Sequence, residues 1–241
     1  MHTRGTLVDL VERVGEARTV VITAEIWERV VRVICGKDRG TGFTLDHDGS
    51  HYLVTARHIV KSGATVEVLV RGKVVSAELT ALSVPVSEAD VAVFRLDRPI
   101  TPPNLPLAAD MAGMVFGQDA YFLGFPLGMT FDLQDGYFPL VKRCTISGTT
   151  QKFKDHPVLL LDGWNNPGFS GAPVVFRPPT AAGFQEPMRI AGIVTAYARE
   201  PGSVAIAGQV VSDAEVLLNS GIIIAEQVTR ATEAIEANTL L

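Results

Sequence analysis

Three residues of this chain stand in settings where chemistry could be done. Ser170 lies in residues 165–173, Asn-Asn-Pro-Gly-Phe-Ser-Gly-Ala-Pro, between the apolar runs Val158-Leu159-Leu160-Leu161 and Val174-Val175-Phe176. Two strand-length runs around a turn-rich segment read as strands joined by a shaped loop. Gly168 and Gly171 permit a sharp bend there and allow backbone amides to approach a ligand. A serine displayed on that bend is a candidate nucleophile, and it is equally an ordinary turn serine. His58 closes the apolar run Tyr52-Leu53-Val54-Thr55-Ala56, just before a Lys61-Ser62-Gly63 turn, where a histidine is also commonly structural. Asp90 marks the point where polar Ser87-Glu88 gives way to Val91-Ala92-Val93-Phe94. A carboxylate there is partly desolvated, which is costly unless it is paired. A histidine ring N–H would pair it, and so would a plain loop-capping role. Together, in the order His58, Asp90, Ser170, the set follows one of the chain orders of a nucleophile triad.

Other groupings carry less chemistry. His47, Asp48 and His51 cluster on a polar Asp-Gly hairpin tip, whereas zinc sites need three or four convergent ligands. The glycine-rich stretches lack the Gly-Lys-Ser/Thr ending of a phosphate loop. No metal and no cofactor is therefore expected.

The elements that must position these residues are mostly short β runs. Val30 to Ile34 reads as a strand, and 40–45 and 52–55 form a hairpin across Asp48-Gly49. Residues 65–70 and 74–79 form another hairpin across Arg71-Gly72-Lys73, and 91–96 follows as a strand. Residues 98–106 hold four prolines, which neither a helix nor a central strand tolerates, and mark a boundary between halves. Strands are expected near 119–123, 137–148, 158–162, 173–177, 188–197 and 203–210. Many short strands in two halves, without alternating helices, indicate two antiparallel barrels. Leu7, Leu10, Val11 and Val14 repeat at helical spacing, and 225–237 is rich in helix formers, so a helix is expected at each end. The division read from this pattern is 1–24 for the N-terminal helix and lead-in, 25–105 and 106–225 for the barrels, and 226–241 for the C-terminal helix.

In Thr55-Ala56-Arg57-His58, Asp90-Val91-Ala92-Val93 and Gly168-Phe169-Ser170-Gly171-Ala172-Pro173, the chain resembles the trypsin-like (chymotrypsin-fold) serine proteases. Leu123-Gly124-Phe125-Pro126-Leu127-Gly128, Gly192-Ile193-Val194-Thr195 and Asn219-Ser220-Gly221-Ile222 extend the likeness toward the bacterial high-temperature-requirement branch. The resemblance covers roughly 26–228. It implies an all-β fold of two packed six-stranded barrels and a serine endopeptidase acting on protein or peptide. It also implies Ser170 as nucleophile, His58 as general base, Asp90 as its orienting carboxylate, and the Gly168 and Ser170 amides as oxyanion hole. Thr195, Ala196 and Tyr197 would pair with the substrate backbone, with Trp164, Asn165 and Gly221 at the specificity pocket. Trp164 falls where trypsin carries its specificity aspartate, and Tyr197 replaces a small residue. A shallow apolar pocket for a small or medium aliphatic side chain is thus expected. Phe169 stands where the family usually has an aspartate or asparagine, so activation by a newly cut N-terminus is not expected. Nor is a peptide-binding module expected after the final helix. A binding or regulatory module on the protease fold, and an esterase using the same triad, are the alternatives.

Composition excludes other classes. With 241 residues and 47% hydrophobic content the chain can bury a large core. A net charge of −5 is unlike the basic surplus of a nucleic-acid binder. No apolar run approaches the roughly 18 residues that cross a bilayer, and the N-terminal residues do not form a signal-peptide core. The two cysteines, Cys35 and Cys144, are far apart and fit reduced, buried thiols in a cytoplasmic protein. Either terminal helix is a candidate contact for a partner or a second copy.

Overall fold

A computed structural model describes residues 22–60, 65–102, 107–133, 136–180, 186–207 and 209–239. The helix expected around Leu7 to Val14 lies outside these residues.

After a helical turn, α1 (Ala24–Trp27), the first half builds seven strands. They are β1 (Val30–Cys35), β2 (Asp38–His47), β3 (Ser50–Thr55), β4 (Val66–Val70), β5 (Lys73–Val75), β6 (Leu79–Ala81) and β7 (Ala92–Leu96). Their order in the sheet is β5-β4-β1-β2-β3-β7-β6. Two hairpins turn where the sequence demands it: Asp48 and Gly49 have φ of 47° and 74°, and Arg71 and Gly72 have 51° and 80°. Left-handed angles at both central residues match the twist of the flanking strands. The register of β3 on β7 sets Thr55 opposite Ala92. This one pairing brings the exit of β3, which leads to His58, beside the entry of β7, which follows Asp90.

The second half is a closed barrel in the order β11-β12-β15-β14-β13-β8. Its strands are β8 (Asp119–Gly124), β11 (Leu140–Thr150), β12 (Val158–Asp162), β13 (Pro173–Phe176), β14 (Arg189–Ile206) and β15 (Gln209–Gln227). A separate hairpin, β9 (Phe131–Leu133) with β10 (Gly136–Phe138), lies between β8 and β11. Helix α2 (Thr229–Thr239) follows the barrel.

The mostly β architecture in two halves holds, but the expectation of two six-stranded barrels needs correcting. Only the second half closes with six strands; the first is an open seven-stranded sheet. Its edge strands β5 and β6 are three residues each and largely exposed, too short to form a closing ladder with one another. Three boundaries also differ. The strands expected at 188–197 and 203–210 are one, β14, whose partner β15 reaches back to 209. The run 137–148 divides into β10 and β11. Residues 225–227, read as the start of a helix, complete β15, because Ala225 and Glu226 are wholly buried in the barrel wall.

One apolar cluster crosses both halves, combining Phe43, Val54 and Val93 with Leu123, Phe125, Val175 and Ile193. Val228, Ala231, Ala234 and Ile235 from the barrel's end and α2 join the same cluster. Ala89 and Val91, which flank Asp90, belong to the same cluster.

Candidate active site

His58 lies in a 3-10 turn, Arg57–Ile59, that starts where β3 runs out. Asp90 meets it through two hydrogen bonds. Its Oδ2 is 2.7 Å from His58 Nδ1, and its Oδ1 accepts the His58 backbone N–H at 2.9 Å. The Arg57 amide donates to the Asp90 carbonyl at 3.2 Å. Asp90 is thus held to the histidine turn by backbone as well as side chain. Its carboxylate is 18% exposed, against 45% for the ring. A carboxylate only accepts, so the neutral ring is assigned its proton on Nδ1, leaving the Nε2 lone pair free.

The Ser170 loop reaches this turn from the other half. The Ser170 carbonyl accepts the Thr41 amide at 2.8 Å. Gly171, at φ +86°, passes so close to β2 and β3 that a Cβ would stand 1.9 Å from the Thr41 carbonyl and 2.9 Å from the Ala56 amide. No side chain fits there, so glycine brings the loop within two residues of His58 in sequence. Among the described residues no hydrogen bond joins the Ser170 hydroxyl to His58.

The loop's amides divide cleanly. In residues 168–172, those of Phe169, Gly171 and Ala172 donate to the carbonyls of Asn166, Val194 and Phe169. Those of Gly168 and Ser170 have no protein acceptor among the described residues. The Pro167 carbonyl accepts the Leu127 amide at 2.8 Å, so the trans peptide turns the Gly168 N–H away from Leu127.

Three residues outside the expected set hold this arrangement. Buried Thr41 donates its hydroxyl to the Gly168 carbonyl at 2.7 Å and accepts the Phe125 amide at 3.1 Å. Phe169 is completely buried and meets Phe122 edge-on with centroids 4.7 Å apart. Lys142 Nζ donates to the Trp164 carbonyl and the Asn166 side chain, and lies 5.8 Å from the Phe169 ring. Burial lowers the Lys142 ammonium below its ordinary pKa. The sequence marked Phe169 as a departure from the family pattern, and the glycines flanking Thr41 make room for close backbone approach; Lys142 carried no such signal.

The candidate binding residues surround the same loop. Asn165 is buried, donates to the Ala196 carbonyl at 3.3 Å, and accepts from Asn219 Nδ2 through its own carbonyl at 2.7 Å. Trp164 is 56% exposed, and Gly221 accepts the Gly163 amide at 2.8 Å. β14 pairs with β15 on one edge. On the other it pairs with β13 only as far as Ile193, and Val194 completes the ladder with Gly171 and Ala172. At Thr195, Ala196 and Tyr197 this second edge has no strand partner among the described residues. Thr195 itself is buried, with its hydroxyl 3.4 Å from the Ile224 carbonyl, while Ala196 is exposed and Tyr197 half-buried under Arg199. His51 and His47 lie elsewhere, on the hairpin tip, facing Asp46 at 2.5 Å and Asp48 at 3.5 Å.

The chain is similar in sequence and in fold to known proteases. The chain is 28% identical over 151 residues to protease Do-like 1 of Arabidopsis thaliana chloroplasts, matching 60% of this chain and 32% of that protein. It is 28% identical over 146 residues to the magnetosome formation protease MamE of Paramagnetospirillum magneticum, matching 19% of that protein. The matched stretch therefore spans a third or less of the length of these relatives. The fold is similar to that of the HtrA-type protease AlgW, with a TM-score of 0.59, 24% identity, and 89% and 61% of the two chains covered. It is also similar to the Rv3671c protease of M. tuberculosis in its active form, with a TM-score of 0.56, 20% identity, and 88% and 82% covered. The model of the trypsin-like peptidase domain matches residues 40–177, more than half of the chain and a span that includes His58, Asp90 and Ser170. The chain belongs to the trypsin-like peptidase family.

Proposed function

We propose that this chain is a serine endopeptidase that cleaves peptide bonds through an acyl-enzyme. The observation that carries the reading is the pairing of His58 with Asp90 at 2.7 Å beside a serine loop whose free amides are those of Gly168 and Ser170. Ser170 Oγ attacks the scissile carbonyl carbon as its proton passes to His58 Nε2. Asp90 keeps the Nδ1 proton in place and stabilises the imidazolium that forms. The oxyanion of the tetrahedral intermediate is held by the N–H groups of Gly168 and Ser170. Collapse expels the amine, which takes its proton from His58. A water then attacks the acyl carbon, gives its proton to His58, and releases the acid and the Ser170 hydroxyl.

The free edge of β14 at Thr195, Ala196 and Tyr197 supports binding of an extended peptide as an added strand. Trp164, Asn165, Tyr197 and Gly221 bring no charge to the pocket, which favours a small or medium aliphatic side chain before the scissile bond. Cleavage after Lys or Arg in a peptide library would overturn this specificity.

A second reading, a protease fold used as a binding module, is favoured by the missing Ser170–His58 hydrogen bond and by Tyr197 beside the pocket. Catalytic hydrogen bonds are often long without substrate and tighten in the complex. Labelling by a fluorophosphonate probe separates the two: the parent chain should react and Ser170→Ala should not. Equal labelling of both, or none of either, removes the endopeptidase reading. Turnover of small esters without cleavage of any peptide would leave an esterase.

A further inference from the structure

We propose that Glu226 is a positioning residue for Asp90, acting on it from the opposite half of the molecule. The proposal rests on the triad reading above. Glu226 is the penultimate residue of β15, opposite Val158 on β12 and Ile193 on β14, and is completely buried. An apolar side chain would satisfy packing at that point in a barrel wall. Instead, Glu226 Oε1 accepts the backbone N–H of Asp90 at 3.0 Å, and Oε2 is 2.6 Å from Nε2 of His156. Lys154 Nζ stands 3.6 Å from Oε1 and 3.4 Å from the Glu88 carbonyl, with which it makes a hydrogen bond.

A buried carboxylate is costly to desolvate and is kept only where its partners offset that cost. The groups around it are Lys154 and His156 from the loop before β12, and Glu88 and Asp90 from the loop before β7. His156 is itself buried, with Nδ1 lacking a partner among the described residues. The carboxylate accepts from Nε2–H, which leaves a bare lone pair on Nδ1 rather than a stranded donor. Polar groups are thus held here at a cost, and what they hold is the triad carboxylate's own residue.

Asp90 uses every polar group it has. Its carbonyl bonds to Arg57, its two carboxylate oxygens bond to His58, and its N–H bonds to Glu226. The first three contacts come from the histidine turn itself and would move with it. Glu226 supplies the contact from the half that carries Ser170, so it ties the orientation of the Asp90–His58 pair to the barrel. Without it the Asp90 amide loses its acceptor and the loop is free to rotate.

The test compares Glu226→Leu, which removes the acceptor and keeps bulk, with Glu226→Gln, which keeps an acceptor oxygen. Two readouts are taken: the rate of fluorophosphonate labelling, and the NMR resonance of the His58 Nδ1 proton in a Ser170→Ala background, assigned by its loss in His58→Asn. That proton is held in the hydrogen bond to Asp90, so its chemical shift reports the alignment of the pair. Glu226→Leu should slow labelling about ten- to a hundred-fold, the scale of a small misplacement in an active site, and move the resonance upfield. Glu226→Gln should label within about three-fold of the parent and restore the resonance. Should Glu226→Leu not fold, Glu226→Met carries the same expectation. A slower rate with an unmoved resonance, or Gln as damaging as Leu, overturns the proposal. A parent chain that the probe never labels overturns the protease reading alone, since the NMR arm needs no turnover.

Discussion

Phe169 stands beside Ser170, at a position where the sequence departs from the pattern it resembles. Its ring is fully buried among Phe122, Ala172 and Val174, so the loop is anchored by apolar packing in the barrel core. Such an anchor is present as soon as the barrel folds and requires no new charged terminus. Cys144 belongs to the same cluster, and burial, helped by the charges of Asp119 and Asp162, pushes its thiol up to about 12 from an ordinary value of 9.0. The sign of the pH dependence follows. Below about 9 both folded and unfolded chains keep the proton; above it only the folded thiol does, until about 12. Stability should therefore fall as pH rises through that window, by about 1.4 kcal/mol per unit from this group. Urea unfolding from pH 8 to 11 should show a steeper decline for the parent than for Cys144→Ala. Parallel slopes would refute it.

At the scale of elements, the serine loop takes its shape from β2 as much as from its own residues. Thr41 holds it twice, by its N–H to the Ser170 carbonyl and by its hydroxyl to the Gly168 carbonyl. Thr41→Val keeps the shape and removes the hydroxyl, leaving the Gly168 carbonyl without its donor and the Phe125 amide without its acceptor. Losing an oxyanion donor outright costs on the order of 10²–10³ in rate. Loosening Gly168, whose own N–H is one donor of the proposed oxyanion hole, should cost about ten-fold, in kcat with KM little changed. Thr41→Ser should recover most of the loss. If Val and Ser behave alike in peptide-cleavage kinetics, the hydroxyl has no such role.

At the scale of the molecule, the two halves share a core. His58 and Asp90 come from the open sheet and Ser170 from the barrel, so a site exists only while the halves stay docked. Helix α2 strengthens that docking: Ile235 and Ala231 are buried in the cluster that Phe43 and Val93 supply from the first half. The Asn238 side chain also donates to the Ser83 carbonyl at 2.9 Å. A chain ending at Val228 should lose about 3 kcal/mol or more of stability, from one buried isoleucine and its small neighbours. That corresponds to a melting temperature lower by roughly 6–12 °C, measured by circular dichroism. An unchanged melting temperature would show that the helix only decorates the fold.

The sequence by itself determined what depends on neighbouring residues. Alternating and continuous apolar runs marked most strands, Asp48-Gly49 and Arg71-Gly72 marked their turns, and the order of His58, Asp90 and Ser170 nominated a site. Where the reading fell short, the deciding contacts were distant in the chain. Whether the first half closes depends on β5 and β6 finding each other, and pairing across such a gap leaves no local trace. Residues 209–227 read poorly as a strand because their partner β14 and the rest of the barrel wall supply the ladder and the burial. Lys142 read as an ordinary charge on a strand and Glu226 as a charge on the final helix, and only packing shows one beneath the Trp164 and Asn166 segment and the other behind Asp90. The chemistry of each group is written in its type; which groups share a buried space is written only in the tertiary fold, because burial and hydrogen-bond partners are set by residues tens of positions away.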